Sequence, residues 1–317
     1  MFYRLVTSIV AAVFGMLTAA HAEESVTLRL KWFHQAQFAG FYVAKEKEFY
    51  KSAGLNVDIQ PGGPDFPAIQ MVTGGSEQFG VTGADQILIA RSKGVPVVAL
   101  AVIFRRNPFV LFSLAKSGIK TPADYVGKNV GVKIGGNEEL IYRAVLAKAG
   151  VDKSKLNEIP VKFDITPLLA GAVDVWPGYL INEVLAAREK GFDVNVVSPP
   201  DYGVDLYADT LFTTEKMLKE KPDIVRKFVA ATLKGWTTAM AAPEEAAQIT
   251  VKYGTKLTYD HELAMMKASQ PLLQPDTQPV GSMEAANWSA TQKLLVDAGF
   301  QKTPVDIGKA FTVEFLK

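Results

Sequence analysis

Residues 26–42 read VTLRLKWFHQAQFAGFY. Val26, Leu28, Leu30 and Trp32 alternate with Thr27, Arg29 and Lys31, the two-residue period of a half-buried strand. That period places the aromatic and amide residues Trp32, Gln35, Gln37 and Phe38 in a loop that opens a helix from about residue 39. In open α/β sheets, ligands lie beyond the carboxyl ends of the strands, so this one stretch bears on both fold class and candidate site.

Ahead of it stand Arg4, an apolar stretch over 5–17 and the small-x-small site Ala20-His21-Ala22, the layout of a secretory signal. Cleavage is expected after Ala22, since the stretch is short, is interrupted by Thr7, Ser8 and Gly15, and is followed at once by Glu23 and Glu24. No later segment reads as apolar enough to span a bilayer, so an exported, soluble mature protein is expected.

Removing residues 1–22 takes away one basic residue, Arg4, from 34 and leaves 33 basic against 33 acidic. A balanced surface offers no field for nucleic acid or an anionic membrane. The chain has no cysteine, which excludes disulfides, thiolate metal sites and a lipidated cysteine behind the signal. Export without a lipid anchor points to a periplasm. His34 and His261 are the histidines left in the mature chain, too few and too far apart in sequence to suggest zinc, and neither a metal nor another cofactor is expected.

Outward from the opening stretch, strands alternate with helices, the pattern of parallel α/β sheets. The first helix ends near Gly54, a strand around 57–59 runs into Pro61-Gly62-Gly63, and a helix opened by Asp65 and Pro67 stops at Gly74-Gly75. A strand over 79–82, a helix over 86–93 and a buried strand over 96–102 follow. The rhythm restarts after Pro122 with strands over 129–133, 161–163, 173–176 and 194–197 and helices over 138–149 and 179–190. Beyond Asp209 the pattern becomes helical, and those helices need a sheet to cover. The simplest arrangement is two lobes: residues 23–112 with 209–317 form the first, and 113–208 form a second lobe inserted into it. Extended crossings near 109–114 and 205–212 would make a hinge, and a hinge between α/β lobes makes a cleft.

Several positions after the expected strands suit a ligand. Gln35 and Gln37 are hard to place in a core, whereas Trp32 and Phe38 suit either a core or a ligand face. Asp85 stands just ahead of a helix, where it can cap that helix or touch a ligand. Gly135-Gly136-Asn137-Glu138-Glu139 opens another helix, and glycines there let backbone amides approach a bound group. Asn137 with two acidic residues behind it is also an ordinary capped start, and two carboxylates disfavour a phosphate. The loop lacks the Lys-Ser/Thr ending of a P-loop.

The most specific constellation is Trp176-Pro177-Gly178-Tyr179 through Asn182-Glu183. If Tyr179 lies in a first helical turn, Asn182 and Glu183 fall at i+3 and i+4 on the same face, with Trp176 at the end of the strand. Aromatic planes beside an amide and a carboxylate suit a flat heterocycle bearing amino groups, because an acid edge pairs strongly with an exocyclic amine. Tyr202, Tyr207 and Asp209 lie where the chain crosses back and are candidates for the cleft wall. Arg105-Arg106-Asn107-Pro108 reads as a solvated turn, and Trp236 and Trp288 as core residues of periodic helices.

Taken together, Lys31-Trp32 with Gln37-Phe38-Ala39-Gly40-Phe41-Tyr42, Pro61-Gly62-Gly63, Gly83-Ala84-Asp85, Gly94-Val95-Pro96-Val97, Gly127-Lys128-Asn129-Val130-Gly131, Gly136-Asn137-Glu138 and Trp176-Pro177-Gly178-Tyr179 through Asn182-Glu183 resemble the solute receptors of ABC importers in the thiamine-pyrimidine precursor family. That family is related to nitrate, sulfonate and taurine receptors. The resemblance covers nearly all of the mature chain. It implies a type II periplasmic binding fold, two α/β lobes that close on a small molecule and dock, as a monomer, on the transmembrane subunits of a permease. It also implies a pocket of aromatics and a carboxylate, for which Trp32, Trp176, Tyr179 and Glu183 stand in matching segments. Formylaminopyrimidine and hydroxymethylpyrimidine are the leading ligands, with riboflavin as an alternative. Sulfonate or nitrate is less comfortable beside Glu183 and Asp85. Fungal pyrimidine synthases resemble the same segments, but they carry a histidine where this chain has Phe38 and a cysteine-rich iron motif where it has residues 203–209. With no cysteine and no nucleophile-elbow sequence, binding is expected rather than catalysis.

Overall fold

The alternation that opens the chain does form a strand, and nine others follow it in a computed structural model that describes residues 23–134, 137–274 and 277–316. The expected signal and its cleavage site lie outside the described residues, as do Gly135 and Gly136. The strands are β1 (Glu24–Arg29), β2 (Leu55–Gln60), β3 (Phe79–Gly83), β4 (Val97–Val102), β5 (Phe109–Leu114), β6 (Asn129–Val132), β7 (Asn157–Pro160), β8 (Val175–Tyr179), β9 (Val194–Val197) and β10 (Asp209–Thr214).

They form two five-stranded sheets, ordered β2-β1-β3-β10-β4 and β7-β6-β8-β5-β9. In the first, β1 is parallel to β2 and β3, and β10 runs antiparallel between β3 and β4. In the second, β6 is parallel to β7 and β8, and β5 runs antiparallel between β8 and β9. Each antiparallel strand is therefore the one by which the chain enters that sheet from the other. β4 and β5 are buried at every position, the unbroken apolar run of strands covered on both faces.

The chain crosses between Val102 and Phe109 and returns between Val197 and Asp209. The outgoing crossing thus precedes Phe109, not residue 113, because all of β5 pairs within the second sheet. The two crossings run side by side. The Ile103 and Phe104 N–H groups both donate to the Asp209 carbonyl, and the Ala208 N–H donates to the Phe104 carbonyl. Arg105 and Asn107 are buried here, so this segment is not the solvated turn its composition suggests.

Three expected elements shift. The strand expected over 161–163 is β7, a few residues earlier; it lies at the sheet edge, where Pro160 is tolerated because its missing N–H faces no neighbour. Pro177 and Gly178 do not make a turn but lie inside β8, opposite Leu111 and Val110. The helix expected over 179–190 consequently starts only at Glu183 and ends at Glu189.

The first sheet is covered by the long helix Pro222–Ala241, which packs on the helix Ala39–Glu46. Trp236 and Trp288 are fully buried, as the apolar spacing of their helices predicts. Glycine makes the helix contact possible: a Cβ on Gly235 would lie 2.3 Å from the Gly40 carbonyl oxygen, and one on Gly40 would lie 2.1 Å from the Trp236 ring. Gly235→Ala is expected to lower stability by about 1–3 kcal/mol, since overpacking against a carbonyl outweighs alanine's advantage of about 1 kcal/mol in a helix. A denaturant midpoint unchanged from wild type would contradict this.

Candidate functional site

Between the sheets lies a cavity of about 490 Å³. Its walls come from the segments that follow the carboxyl ends of β1, β2 and β3 on one side and of β6, β7 and β8 on the other. β1 ends at Arg29, and the chain then bends so that Lys31, Trp32, Gln35 and Gln37 reach the cavity. A Cβ on Gly62 would lie 2.0 Å from the Leu30 carbonyl oxygen, so only glycine lets the loop after β2 pass this close to the bend. Arg29 braces the same corner: it is buried, pairs with Glu77 and donates to the Pro61 carbonyl.

Aromatic rings meet across the cleft. Trp32 from the first side stands edge-on to Phe163 from the second, centroids 4.5 Å apart. Phe163 follows β7 and remains 42% exposed. Beneath them runs a polar chain. The Lys31 ammonium donates to the Tyr179 hydroxyl at 2.8 Å and pairs with Asp209 at 3.4 Å. Gln37 Nε2 donates to the other Asp209 oxygen at 2.6 Å, and Gln35 Nε2 donates to Gln37 Oε1 at 2.6 Å. Burial disfavours charge on Lys31, but Tyr179, Asp209 and Glu138 outweigh it and hold the pKa of the ammonium above its ordinary value. Burial raises the Tyr179 hydroxyl pKa, so this group is neutral near pH 7. Burial also raises the Asp209 carboxyl, opposed by Lys31 and Gln37.

On the second side, Lys133 pairs with Glu183 Oε1 at 3.1 Å and lies 5.3 Å from the Phe163 ring centroid. Glu183 Oε2 accepts the Tyr179 backbone N–H at 2.8 Å. The carboxylate is thus committed on both oxygens, and it does not present the free acid edge expected of it. Glu138 does: it lines the cavity and has no hydrogen-bond partner among the described residues. Beside it Asn137, the first residue of its helix, is buried with Nδ2 unpartnered and facing Gly83 of the opposite wall.

Of the residues picked from sequence, Trp32, Gln35, Gln37, Asn137, Glu138, Tyr179, Asn182 and Glu183 line the cavity. Four others do not. Trp176 is fully buried in the core beneath the second sheet with Val110, Phe112 and Leu168. Because β8 extends to Tyr179, Trp176 and Tyr179 are three residues apart on a strand and point to opposite faces. Phe38 is turned inward by the short 3₁₀ turn Ala36–Phe38 and is fully buried. Asp85 lies inside the first turn of its helix, buried behind the wall, accepting from Gln86 Nε2 at 2.7 Å, and burial raises its pKa. Tyr207 is core, edge-on to Trp288, with its hydroxyl accepting the Glu284 N–H.

Sequence reasoning missed Lys31 and Lys133 as site residues, and it read Phe163 as part of a strand. All three sit just past strand ends, the signal that could have found them. Among the described residues no group of three or more His, Cys, Asp or Glu side chains is arranged to hold a metal ion, and no helix is long and apolar enough to cross a membrane.

A family model described as NMT1/THI5 like matches residues 35–246, two thirds of the chain. The chain belongs to the NMT1/THI5-like family. It is 27% identical to a riboflavin-binding protein RibY of Chloroflexus aurantiacus, over 92% of this chain and 86% of that protein. It is also 27% identical to a formylaminopyrimidine-binding protein of Halalkalibacterium halodurans, over 92% of this chain and 90% of that one. The crystal structure of the periplasmic aliphatic sulphonate binding protein SsuA from Escherichia coli superposes with a TM-score of 0.73 at 18% identity, over 90% of this chain and 96% of that one. This NMT1/THI5-like chain therefore has the periplasmic-binding-protein fold that the resemblance implies.

Breaking the buried pair should be costly. Lys31→Met leaves the fully buried Asp209 carboxylate without a cation and is expected to cost about 3 kcal/mol at neutral pH. Because burial raises the Asp209 pKa, its charge is the destabilising form in the variant. The deficit should shrink as pH falls toward that raised pKa and be absent below the ordinary carboxylate range. Urea unfolding at a series of pH values checks both the size and the sign.

Proposed function

We propose that the protein is the periplasmic solute receptor of an ABC importer, that it captures a planar nitrogen heterocycle between two lobes, and that this ligand is a pyrimidine precursor of thiamine. The observation that carries the reading is that the contacting rings of Trp32 and Phe163 share the cavity lining with two groups that have no hydrogen-bond partner among the described residues, the buried Asn137 Nδ2 and the half-buried Glu138 carboxylate. A buried donor without a partner is costly unless something arrives to use it. A flat ring bearing an amine and a ring nitrogen offers faces for the aromatics, a donor for Glu138 and an acceptor for Asn137.

Charge argues in the same direction. The two ammonium groups of the cavity, Lys31 and Lys133, are each paired with a carboxylate, Asp209 and Glu183, so a sulfonate or nitrate would meet no uncommitted cation and would face Glu138. The name of the Halalkalibacterium relative supports a pyrimidine ligand, and that of the Chloroflexus relative supports riboflavin as the second reading. Both relatives are named as binding proteins, which favours capture over turnover. In this reading the crossings at 103–108 and 198–208 are the hinge. Closure is marked by contacts between the lobes: Lys31 with Tyr179, Trp32 with Phe163, and His261 with Glu189 and Asn182. The loaded monomer then delivers its ligand to the permease.

Isothermal titration with formylaminopyrimidine, hydroxymethylpyrimidine and riboflavin is the direct test, preceded by native mass spectrometry of whatever the exported protein retains. Trp32→Ala should weaken the bound heterocycle by about 1–3 kcal/mol, roughly 5- to 150-fold in Kd. Glu138→Gln should weaken an aminopyrimidine about tenfold or more, because a charged hydrogen bond is lost, and leave riboflavin little changed. Unchanged aminopyrimidine affinity in Glu138→Gln removes that residue from the amine-binding role, and a wild-type protein that binds none of the three compounds rejects the ligand class.

A further inference from the structure

The polar chain beneath the clamp has a fixed direction. Asp209 accepts on one oxygen from Lys31 and on the other from Gln37 Nε2, and the Lys31 ammonium can only donate. Gln37 must therefore turn Nε2 toward Asp209, which leaves its Oε1 to accept from Gln35 Nε2. Gln35 in turn is left presenting Oε1. At the other end, the Tyr179 oxygen accepts from Lys31, so its own hydrogen must point elsewhere, and no acceptor for it exists among the described residues. Gln35 and Tyr179 both line the cavity.

We infer that Lys31 sets the hydrogen-bond polarity of this wall, making Tyr179 a donor and Gln35 an acceptor, so that the site selects a ligand edge carrying a hydrogen-bond acceptor toward Tyr179 and a donor toward Gln35. The inference rests on the proposed ligand class and adds the orientation rule that the class alone does not give. It assigns Tyr179 as a specificity-determining contact and Lys31, Asp209 and Gln37 as positioning residues that act through it and through Gln35. Lys31 and Asp209 belong to the first side of the cleft and Tyr179 to the second, so this polarity is imposed only when the two sides are together. The open protein is free to admit a ring in either orientation, and closure keeps the one whose acceptor faces Tyr179.

The test is a double-mutant cycle between protein and ligand, which cancels differences in basicity or solubility between the compounds. Hydroxymethylpyrimidine and its analogue in which the ring nitrogen beside the amino group is replaced by C–H are titrated into the wild-type protein and Tyr179→Phe. The wild type is expected to prefer the pyrimidine, and Tyr179→Phe to reduce that preference roughly three- to tenfold by weakening the pyrimidine alone. The paired variant Lys31→Met with Asp209→Asn removes the directing charge without stranding its partner. Whatever its loss of overall affinity, its preference should narrow, because the Tyr179 hydroxyl is then free to turn. Equal losses for both compounds in Tyr179→Phe, or full preference retained in the paired variant, would overturn the inference and leave the ligand class standing. Failure of the wild type to bind either compound overturns the ligand class and this inference with it.

Discussion

Asp209 is a carboxylate with almost no contact with water, and the architecture is arranged around making that tolerable. Burying an ionised carboxylate alone costs several kcal/mol, so the group needs a cation and further donors at fixed positions. Lys31 and Gln37 supply them from the segment after β1, while the Asp209 carbonyl takes two N–H groups from the outgoing crossing. One residue thereby joins the first strand, both crossings and the floor of the cavity. Any displacement of β10 relative to β1 pulls this charge away from its partners, which ties the register of the first sheet to the shape of the site.

The same economy of charge defines the cleft. Lys133 and Glu183 neutralise each other on the opposite wall, and Glu183 is further spent on the Tyr179 N–H. Gly178 lets Glu183 sit directly over β8, since a Cβ there would lie 2.9 Å from the Glu183 Cβ. What remains for a ligand is an uncommitted carboxylate, an unpartnered amide and a set of ring faces. A site of this kind discriminates by donor and acceptor geometry and by planarity rather than by net charge, and its affinity should depend only weakly on salt.

Local pattern carried the fold a long way. The apolar alternation and glycine punctuation placed β2, β3, β4, β6 and β9 within about two residues, because in those segments propensity and tertiary pairing agree. They part company at Pro177-Gly178, where punctuation implies a turn but pairing with β5 keeps the backbone extended. That single disagreement moved Trp176 from the rim to the core and delayed the following helix. The site's ion pairs were illegible for a different reason. Lys31 and Asp209 are separated by 178 positions and Lys133 and Glu183 by 50, and no local rule links residues so far apart. Their positions after strand ends were readable, but their partners were not.

The place of β10 has a consequence for how the chain is made. β4 reaches its own sheet only through β10, which wedges between it and β3. Until residues 209–214 have emerged, β3 and β4 each present an unpaired edge of buried, apolar sequence, and the entire second sheet is built in the interval. Such edges are templates for aggregation, and pairing across so long a stretch is slow. A nascent chain of this topology has to be kept from premature collapse until most of it is available, a requirement that chaperoned, unfolded passage through a membrane pore would meet.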